Sequence, residues 1–263
     1  MSTHALHETA ALTRRSLRHV LRSPDTIVTT AVMPIAFLLL FVYVFGGAIE
    51  AGVEGPAAGS SGGEAYVDYL LPGILLITIA TGVAYTAYRV FMDLQGGMVE
   101  RLRSMPISRA PVLWAHVLTS LAAILTSLAV VVGVAVLMGF RSEADLLGCL
   151  AVTGILVLVA LVLTWLAVIA GLSARSLDGA IAFSYPLIFL PFLSSAFVPT
   201  ATMPGPGRWF AEHQPVTSVV DSLRALLAGE PVGGEIWVAL AWCVGALVLA
   251  YTVAVVLFRR RVG

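Results

Sequence analysis

The chain of 263 residues contains no lysine: all 15 of its basic side chains are arginine. That absence excludes one chemistry, because a phosphate-binding loop of the Walker type closes on an obligatory Gly-Lys-Ser/Thr. Cysteine is almost as scarce. Cys149 and Cys243 both stand in apolar surroundings, which suits two buried, unreactive thiols and argues against a disulfide or metal site. The five histidines, His4, His7, His19, His116 and His213, form no His-x-x-x-His or His-x-x-Glu-His cluster. Ser184, Ser194 and Ser195 lie in no Gly-x-Ser-x-Gly elbow and have no neighbouring histidine, so they read as packing serines. Fifteen acidic residues cancel the arginines, and no nucleic-acid signature remains. Residues Met1 to Leu12 carry His, Glu and Thr without an apolar run, which is not the pattern of a cleaved secretory signal.

What the chain has in abundance is grease. With 59% hydrophobic residues, 11% charged residues and a mean hydropathy of +0.96, the composition is that of an all-α integral membrane protein. Apolar runs of about 20 residues or more, enough to cross a ~30 Å hydrocarbon core, occur near 26–48, 69–91, 112–139, 146–172, 179–198 and 236–258. Six spans place both termini on one side. Twelve arginines (14, 15, 18, 22, 89, 101, 103, 109, 175, 259, 260 and 261) fall on that side and only Arg141, Arg208 and Arg224 opposite. The positive-inside rule then makes the termini cytoplasmic and the protein a multi-pass component of the cell membrane. Ahead of the spans, residues 1–25 line up Leu6, Ala10, Leu17, Val20 and Leu21 against Arg14, Arg18 and Arg22. This suits a cytoplasmic helix lying on membrane lipid, a solvated leader helix being the other reading. Ser23-Pro24-Asp25 ends it. The first outer loop, Glu50 to Glu64, is rich in Gly, Ala and Ser and reads as a flexible linker.

Polar and helix-breaking residues inside the spans are few enough to take singly. Pro34, Pro186 and Pro191 remove backbone donors and should kink the first and fifth spans or leave bundle-facing carbonyls free, which makes Pro186 and Pro191 candidates for a translocation surface. Thr78, Thr81, Tyr85 and Tyr88 recur at spacings of three, four and three, with Thr86 beside them, and this stripe either lines a translocation surface or glues helices by hydrogen bonds. Arg89 and Asp93, four apart, suit a local ion pair, and His116 reads as an interfacial histidine near Trp114. In the long outer segment Pro199, Pro204 and Pro206 preclude a continuous helix. From Val216 the pattern turns helical: Val216, Val219, Val220, Leu223, Leu226 and Leu227 share a stripe, Asp221, Ser222 and Arg224 face away, and Gly229 with Pro231 stops it. At about 13 residues that helix is too short to span and should lie in the outer leaflet.

One polar island stands between two greasy segments: residues 93–111, with Glu100, Arg101, Leu102, Arg103, Ser104, Met105, Pro106, Ser108 and Arg109. Each of these charges at a bilayer centre costs about 2.5–3.5 kcal/mol, so the island lies outside the membrane. Glu-Arg, Met-Pro, Ser-Arg and then a hydrophobic helix resemble the first cytoplasmic loop of type-2 ATP-binding-cassette exporter permeases, most closely the subgroup that expels daunorubicin-like drugs. Met203-Pro204, Trp209-Phe210, Gln214-Pro215 and the stretch from Asp221 to Gly229 resemble that family's sequence before its last span. The chain departs from the family at Leu102-Arg103, where Gly-Thr is frequent, and at Gln214-Pro215, where Asn-Pro is.

The resemblance implies a six-span transmembrane domain over 26–263 that carries no nucleotide site of its own. It implies docking of the island (Glu100, Arg101, Arg103, Met105, Pro106, Arg109) on a cytoplasmic ATPase, present in two copies that bind ATP and Mg, and pairing with a second permease copy. The work implied is efflux of amphipathic drug-like or lipid-like compounds by alternating access. A membrane-embedded enzyme or an ATPase-independent scaffold is the competing reading, and it calls for ionisable residues in mid-span that the sequence does not supply.

The arginine asymmetry makes a testable statement about orientation. In a background lacking Cys149 and Cys243, Ser60→Cys and Gly205→Cys react with an impermeant maleimide added to intact cells, whereas Ser104→Cys reacts only after permeabilisation. Labelling of Ser104→Cys in intact cells overturns the orientation.

Overall fold

A computed structural model describes residues 24–45, 63–97 and 110–262. The expected interfacial helix up to residue 23, the first outer loop up to residue 62, and Glu100, Arg101, Arg103, Met105, Pro106 and Arg109 lie outside the described residues. Within them the chain is helical, with no strand. The helices are α1 (Pro24–Leu39), α2 (Gly63–Gln95), α3 (Ala110–Leu137), α4 (Leu146–Ser173), α5 (Leu177–Ala182), α6 (Ser184–Phe189), α7 (Gly205–His213), α8 (Pro215–Leu227) and α9 (Glu235–Val262). A π-helical turn, Leu40–Phe45, continues α1, and 3-10 turns cover Leu190–Leu193 and Thr200–Thr202.

Four helices are long and apolar enough to cross a membrane: Tyr66–Gln95, Leu113–Leu137, Leu146–Ser173 and Glu235–Arg261. The first and fifth expected spans appear as shorter apolar helices, Thr30–Val44 and Leu177–Leu193. The fifth is not the single kinked helix expected. It divides at Phe183 and again at Leu190, and each proline falls in the opening turn of a new piece, Pro186 in α6 and Pro191 in the 3-10 turn. A missing N–H costs nothing there, because the first N–H groups of any helix lack an intrahelical partner. The same logic seats Pro24 at the start of α1 and Pro111 in the opening turn of α3, so Pro24 begins the first helix instead of standing ahead of it.

The helix at the centre is α2. Of its most apolar stretch 83% is buried, against 17% for α9, so α2 is enclosed by protein while α9 turns most of its surface outward. Around it pack α1, α3, α4, α5, α6 and α8. Three glycines let neighbours close in. A Cβ on Gly73 would stand 2.8 Å from Ala196 Cβ, one on Gly82 2.7 Å from Ile124 Cγ1, and one on Gly171 of α4 2.8 Å from the Ala87 carbonyl of α2. Between α1 and the broken fifth segment the filler is aromatic: Phe41 stacks on Phe197 at 4.9 Å, Phe192 on Phe197 at 4.6 Å, and Phe37 meets Phe192 edge-on at 5.8 Å.

The long helices alternate in direction. At one end Val90, Leu113, Val117, Trp165, Leu172, Ala254 and Phe258 form one buried cluster, joining the close of α2, α4 and α9 to the start of α3. Arg89, Arg175, Arg259, Arg260 and Arg261 belong to this end. At the opposite end the α3–α4 connection is tied to α8 by Ser142 Oγ–H and Glu143 N–H, which both donate to Leu227 O at 3.1 and 3.0 Å. Here lie Arg141, Arg208 and Arg224.

α8 ends where its sequence says it should. Gly229 takes φ +67°, its N–H bonds Leu226 O and the Glu230 N–H bonds Ala225 O, the paired closure that favours glycine. The polar side of α8 does not face away as expected. Ser222 is buried and donates to Ser218 O at 2.7 Å, while Asp221 and Arg224 turn onto other elements of the bundle. Cys149 is likewise not buried but exposed on the first turn of α4, while Cys243 is buried as expected. Apolar neighbours in sequence do not measure burial where lipid is the solvent.

Gly171 gives the fold its sharpest test. Gly171→Ala sets a methyl against backbone and Val90, and should cost about 1–3 kcal/mol as overpacking. Gly133→Ala, with nothing within 4 Å of the added atom, should stay within about 0.5 kcal/mol of wild type or gain slightly. Unfolding by increasing denaturing detergent in mixed micelles reads both, and equal stability of the two variants would refute the tight α2–α4 contact.

Candidate functional site

Among the described residues, three gatherings of polar groups lie on α2 or face it. The first is at the end that holds α8. On that helix Asp221 and Arg224 are three residues apart, so both reach the same side. Arg224 Nη1 donates to Asp221 Oδ1 at 2.8 Å, and Ser195 Oγ donates to the same oxygen at 2.6 Å. Arg224 Nη2 donates to Ser195 O at 2.9 Å and to Tyr69 O at 3.4 Å, while Tyr69 Oη also donates to Ser195 O, at 3.0 Å. The guanidinium lies 4.0 Å from the centre of the Tyr69 ring. Its Nε is buried and has no hydrogen-bond partner. One cation thus ties α8, the start of α2 and the segment after Pro191 together. Nearby, Gln214 Nε2–H donates to Leu193 O, fixing the turn between α7 and α8 to the same segment.

The second place is the stripe on α2, and its upper and lower halves differ. Thr78 is fully buried and donates to Ile74 O of its own helix at 2.8 Å. Thr81 donates to Thr30 O of α1 at 3.2 Å and to Thr78 O at 3.0 Å, and Thr30 Oγ1 meets Ser127 Oγ of α3 at 2.7 Å. These hydroxyls join α1, α2 and α3. Tyr85 and Tyr88 instead stack at 5.8 Å, with Arg89 5.8 Å from the Tyr85 ring and Tyr85 exposed. Beneath them a pocket with room for a single water, about 10 Å³, is lined by Thr30, Gly82, Tyr85, Thr86, Arg89, Ser120, Ala123 and Ile124. The Thr86 hydroxyl there is buried without a partner. Pro186 is exposed, and Pro191 is buried with its carbonyl taken by Ser194 Oγ at 2.7 Å.

The third place is the foot of the island. Asp93, in the last turn of α2, does not pair with Arg89 as expected. Its Oδ2 lies 3.2 Å from His116 Nε2 of α3, because the antiparallel helices bring the second turn of α3 alongside, while Arg89 turns to the Tyr85 ring. His116 keeps 14% of its side-chain surface exposed. Two residues earlier Trp114 meets Trp165 of α4 edge-on at 5.3 Å and Tyr251 of α9 at 6.0 Å, and those two rings meet at 5.0 Å.

Sequence reasoning singled out Asp221 and Arg224 but missed Tyr69 and Ser195, and it noted His116 and Asp93 without joining them. A clue was available at Arg224, since an arginine beside an apolar stripe in a short helix needs acceptors from elsewhere in the chain.

Residues 7–228 match the ABC-2 type transporter family. The chain is 27% identical over 231 residues to a daunorubicin resistance ABC transporter permease protein of Streptomyces coeruleorubidus, covering 86% of this chain and 76% of that protein. It is 25% identical over 255 residues to a probable doxorubicin resistance ABC transporter permease protein of Mycobacterium tuberculosis, covering 96% of this chain and 88% of that one.

The Arg224 network sets up a mutant cycle. Arg224→Ala leaves Asp221 and two carbonyls short of a donor and should cost about 1–3 kcal/mol in the same detergent unfolding experiment. Ser195→Ala removes one hydroxyl bond and should cost nearer 0.6 kcal/mol, the average for interhelical bonds in membranes. Asp221→Asn with Arg224→Ala should cost less than the sum of the singles, since the partners share atoms. Strict additivity would mean that the groups are neighbours without being a network.

Proposed function

The chain belongs to the ABC-2 type transporter family, and from that premise we propose that it is the membrane permease subunit of an ATP-driven exporter that moves amphipathic drug-like or lipid-like compounds out of the cell. The observation that carries the reading is the match over residues 7–228, with resistance permeases aligned along most of the chain. A permease without lysine has no Walker loop, so ATP and Mg belong to a cytoplasmic ATPase subunit, two copies serving a pair of permeases. In this reading α1 with its π-turn is the first crossing and the broken Leu177–Leu193 segment the fifth, which with the four long helices makes six. The end that gathers Arg89, Arg175 and Arg259 to Arg261 is cytoplasmic, as are both termini.

The stroke enters through the island, where Glu100, Arg101, Arg103, Met105, Pro106 and Arg109 face the ATPase. Closure of the ATPases displaces the island, tilts the first, second and fifth spans, and opens an outward path between the two permease copies. This is alternating access driven from the cytoplasm. Tyr85 and Tyr88 offer flat, amphipathic rings to such a cargo, and the breaks at Phe183 and Leu190 give the fifth segment places to bend. A membrane enzyme or a stand-alone scaffold accounts for neither the family nor the arginine-rich island.

Glu100 is the residue on which the reading turns. A local helix pair is worth only a few tenths of a kcal/mol, whereas a carboxylate set against a cation in a subunit interface is worth about 2–5 kcal/mol when truncated, and reversal adds repulsion. Glu100→Arg should therefore leave the permease inserted but abolish efflux and cargo-stimulated ATP hydrolysis in the complex, with Glu100→Gln milder. Expression, co-purification with the ATPase and efflux are compared with wild type. Undiminished efflux with Glu100→Arg would reduce the island to a solvated loop.

A further inference from the structure

We propose that Thr86, Arg89 and Ser120 form a binding site for the phosphate of a phospholipid in the leaflet at the arginine-rich end of the bundle, and that Asp93, one turn beyond, favours a headgroup ending in an amine. The site is built from this chain's own residues and holds whatever the protein exports.

Tyr69, whose carbonyl Arg224 reaches, and Arg89 stand 20 residues apart on α2, about 30 Å at 1.5 Å per residue. That is the thickness of a hydrocarbon core, so the two arginines mark its two boundaries. Trp114 and Tyr251, in contact at 6.0 Å, belong to the Arg89 end and are the residue types that sit at headgroup level. Phosphates of one leaflet stand at this depth.

The two arginines are satisfied differently. Arg224 is held by Asp221 and two carbonyls of its own chain. Arg89 makes no hydrogen bond or ion pair among the described residues, and its guanidinium lies 5.8 Å from the Tyr85 ring. An arginine on a plain surface would need no more than water, which its long stem reaches. Here it lines the pocket of about 10 Å³ together with Thr86 of α2 and Ser120 of α3. Both of those residues are buried, and neither hydroxyl has a partner among the described residues. Other hydroxyls in these helices bond the carbonyl four residues back, as those of Thr78, Thr119, Thr126 and Thr153 do. Two unpaired donors and a cation around a hole the size of one oxygen suit an oxyanion, one oxygen entering between the helices and another meeting the guanidinium. A water fills the hole but leaves the cation unneutralised. The third wall is Thr30 of α1, followed toward the core by exposed Val32 and Met33, apolar surface on which acyl chains can lie.

Asp93 lies four residues beyond Arg89, about 6 Å further along the helix, and is half exposed. His116 Nε2, 3.2 Å away, is a cation only when protonated, so beside a neutral ring the carboxylate keeps an uncompensated charge. A cation at phosphate level with an anion outside it complements an ethanolamine headgroup, negative at its phosphate and positive at its amine. A glycerol headgroup offers Asp93 no cation.

The test strips the purified chain of lipid in detergent and titrates it with phosphatidylethanolamine, phosphatidylglycerol or inorganic phosphate. Bound lipid is read by native mass spectrometry, and resistance to unfolding is followed in parallel. Wild type should retain phosphatidylethanolamine more tightly than phosphatidylglycerol and gain resistance as it binds. Arg89→Ala should bind about tenfold more weakly, as for loss of a charged hydrogen bond, and Thr86→Val and Ser120→Ala each roughly two- to tenfold. Without lipid Thr86→Val should be no less stable than wild type, because it removes a hydroxyl that has no partner, whereas a merely structural threonine would cost stability there. Asp93→Asn should keep the lipid and lose the preference for ethanolamine.

Binding that Arg89→Ala leaves intact would place the lipid elsewhere, and displacement by inorganic phosphate would reduce the pocket to a plain anion site. Either result overturns the proposal, as does a wild type that retains no lipid and holds water alone in the pocket. A preference for ethanolamine that survives Asp93→Asn removes Asp93 from the site.

Discussion

A helix in lipid gains nothing from leaving apolar surroundings for other apolar surroundings, so contact distance and hydrogen bonding must do what the hydrophobic effect does in water. That constraint explains why α2 is the axis of the molecule. It is enclosed because its neighbours can come close: Gly73, Gly82 and Gly171 each stand where even a methyl group would collide with Ala196, Ile124 or the backbone of α2. Close approach multiplies small dispersion terms of about 0.1–0.2 kcal/mol per atom pair over many pairs. α9 is the opposite case, with most of its apolar surface left outside the chain's own packing.

The same constraint sets where polar groups are placed. Hydroxyls within α2 are satisfied on the backbone, as Thr78 is on Ile74 O, or spent in joining helices, as Thr81 is on Thr30 O. Charges occur at helix ends: the exposed Asp93 lies 3.2 Å from His116 at one, and Asp221 pairs with Arg224 at the other. The second is the more elaborate because Arg224 has more donors to satisfy. Asp221, Ser195 O, Tyr69 O and the Tyr69 ring take up much of that demand, leaving Nε over. An arginine so occupied fixes α8 in orientation as well as position, since the planar fork has one way to meet acceptors on three elements.

Much of this was legible in the chain. Hydropathy gave the four long helices within a few residues, and Gly229 with Pro231 marked the end of α8. The first and fifth expected spans, which are shorter apolar helices in the structure, were less legible for a physical reason: hydropathy sums side chains, whereas the continuity of a helix depends on where prolines fall relative to helix starts. Pro186 and Pro191, read as kinks, lie in the opening turns of separate pieces. Site residues divided along similar lines. Periodicity grouped Asp221 with Arg224 because they share one helix, but their partners Tyr69 and Ser195 lie 155 and 29 residues from Arg224 and left no local trace. Arg89 and Asp93 were joined by spacing, and His116 prevailed because a tertiary neighbour outcompetes an i,i+4 pair worth a few tenths of a kcal/mol.

The contacts also differ in kind across the molecule, and the difference bears on what can move. Between α2 and α4 the contact at Gly171 involves backbone atoms, which have no rotamer to change, so a shift there must move whole helices. Between α1 with its π-turn and the segment from Phe189 to Phe197 the contacts are phenyl rings at 4.9–6.3 Å, stacked, tilted or edge-on. Ring pairs of this sort are worth about 0.5–1.5 kcal/mol over a range of geometries, so sliding one past another trades one favourable arrangement for the next. The π-turn at Leu40–Phe45 and the breaks at Phe183 and Leu190 lie on this softer side of the bundle. A transporter working by alternating access needs both kinds of contact, one that holds its shape while force passes through it and one that changes partners as it does so. Here the contacts of the first kind are those of glycine and tryptophan around α2, and those of the second kind are the phenylalanines around the proline-broken segment.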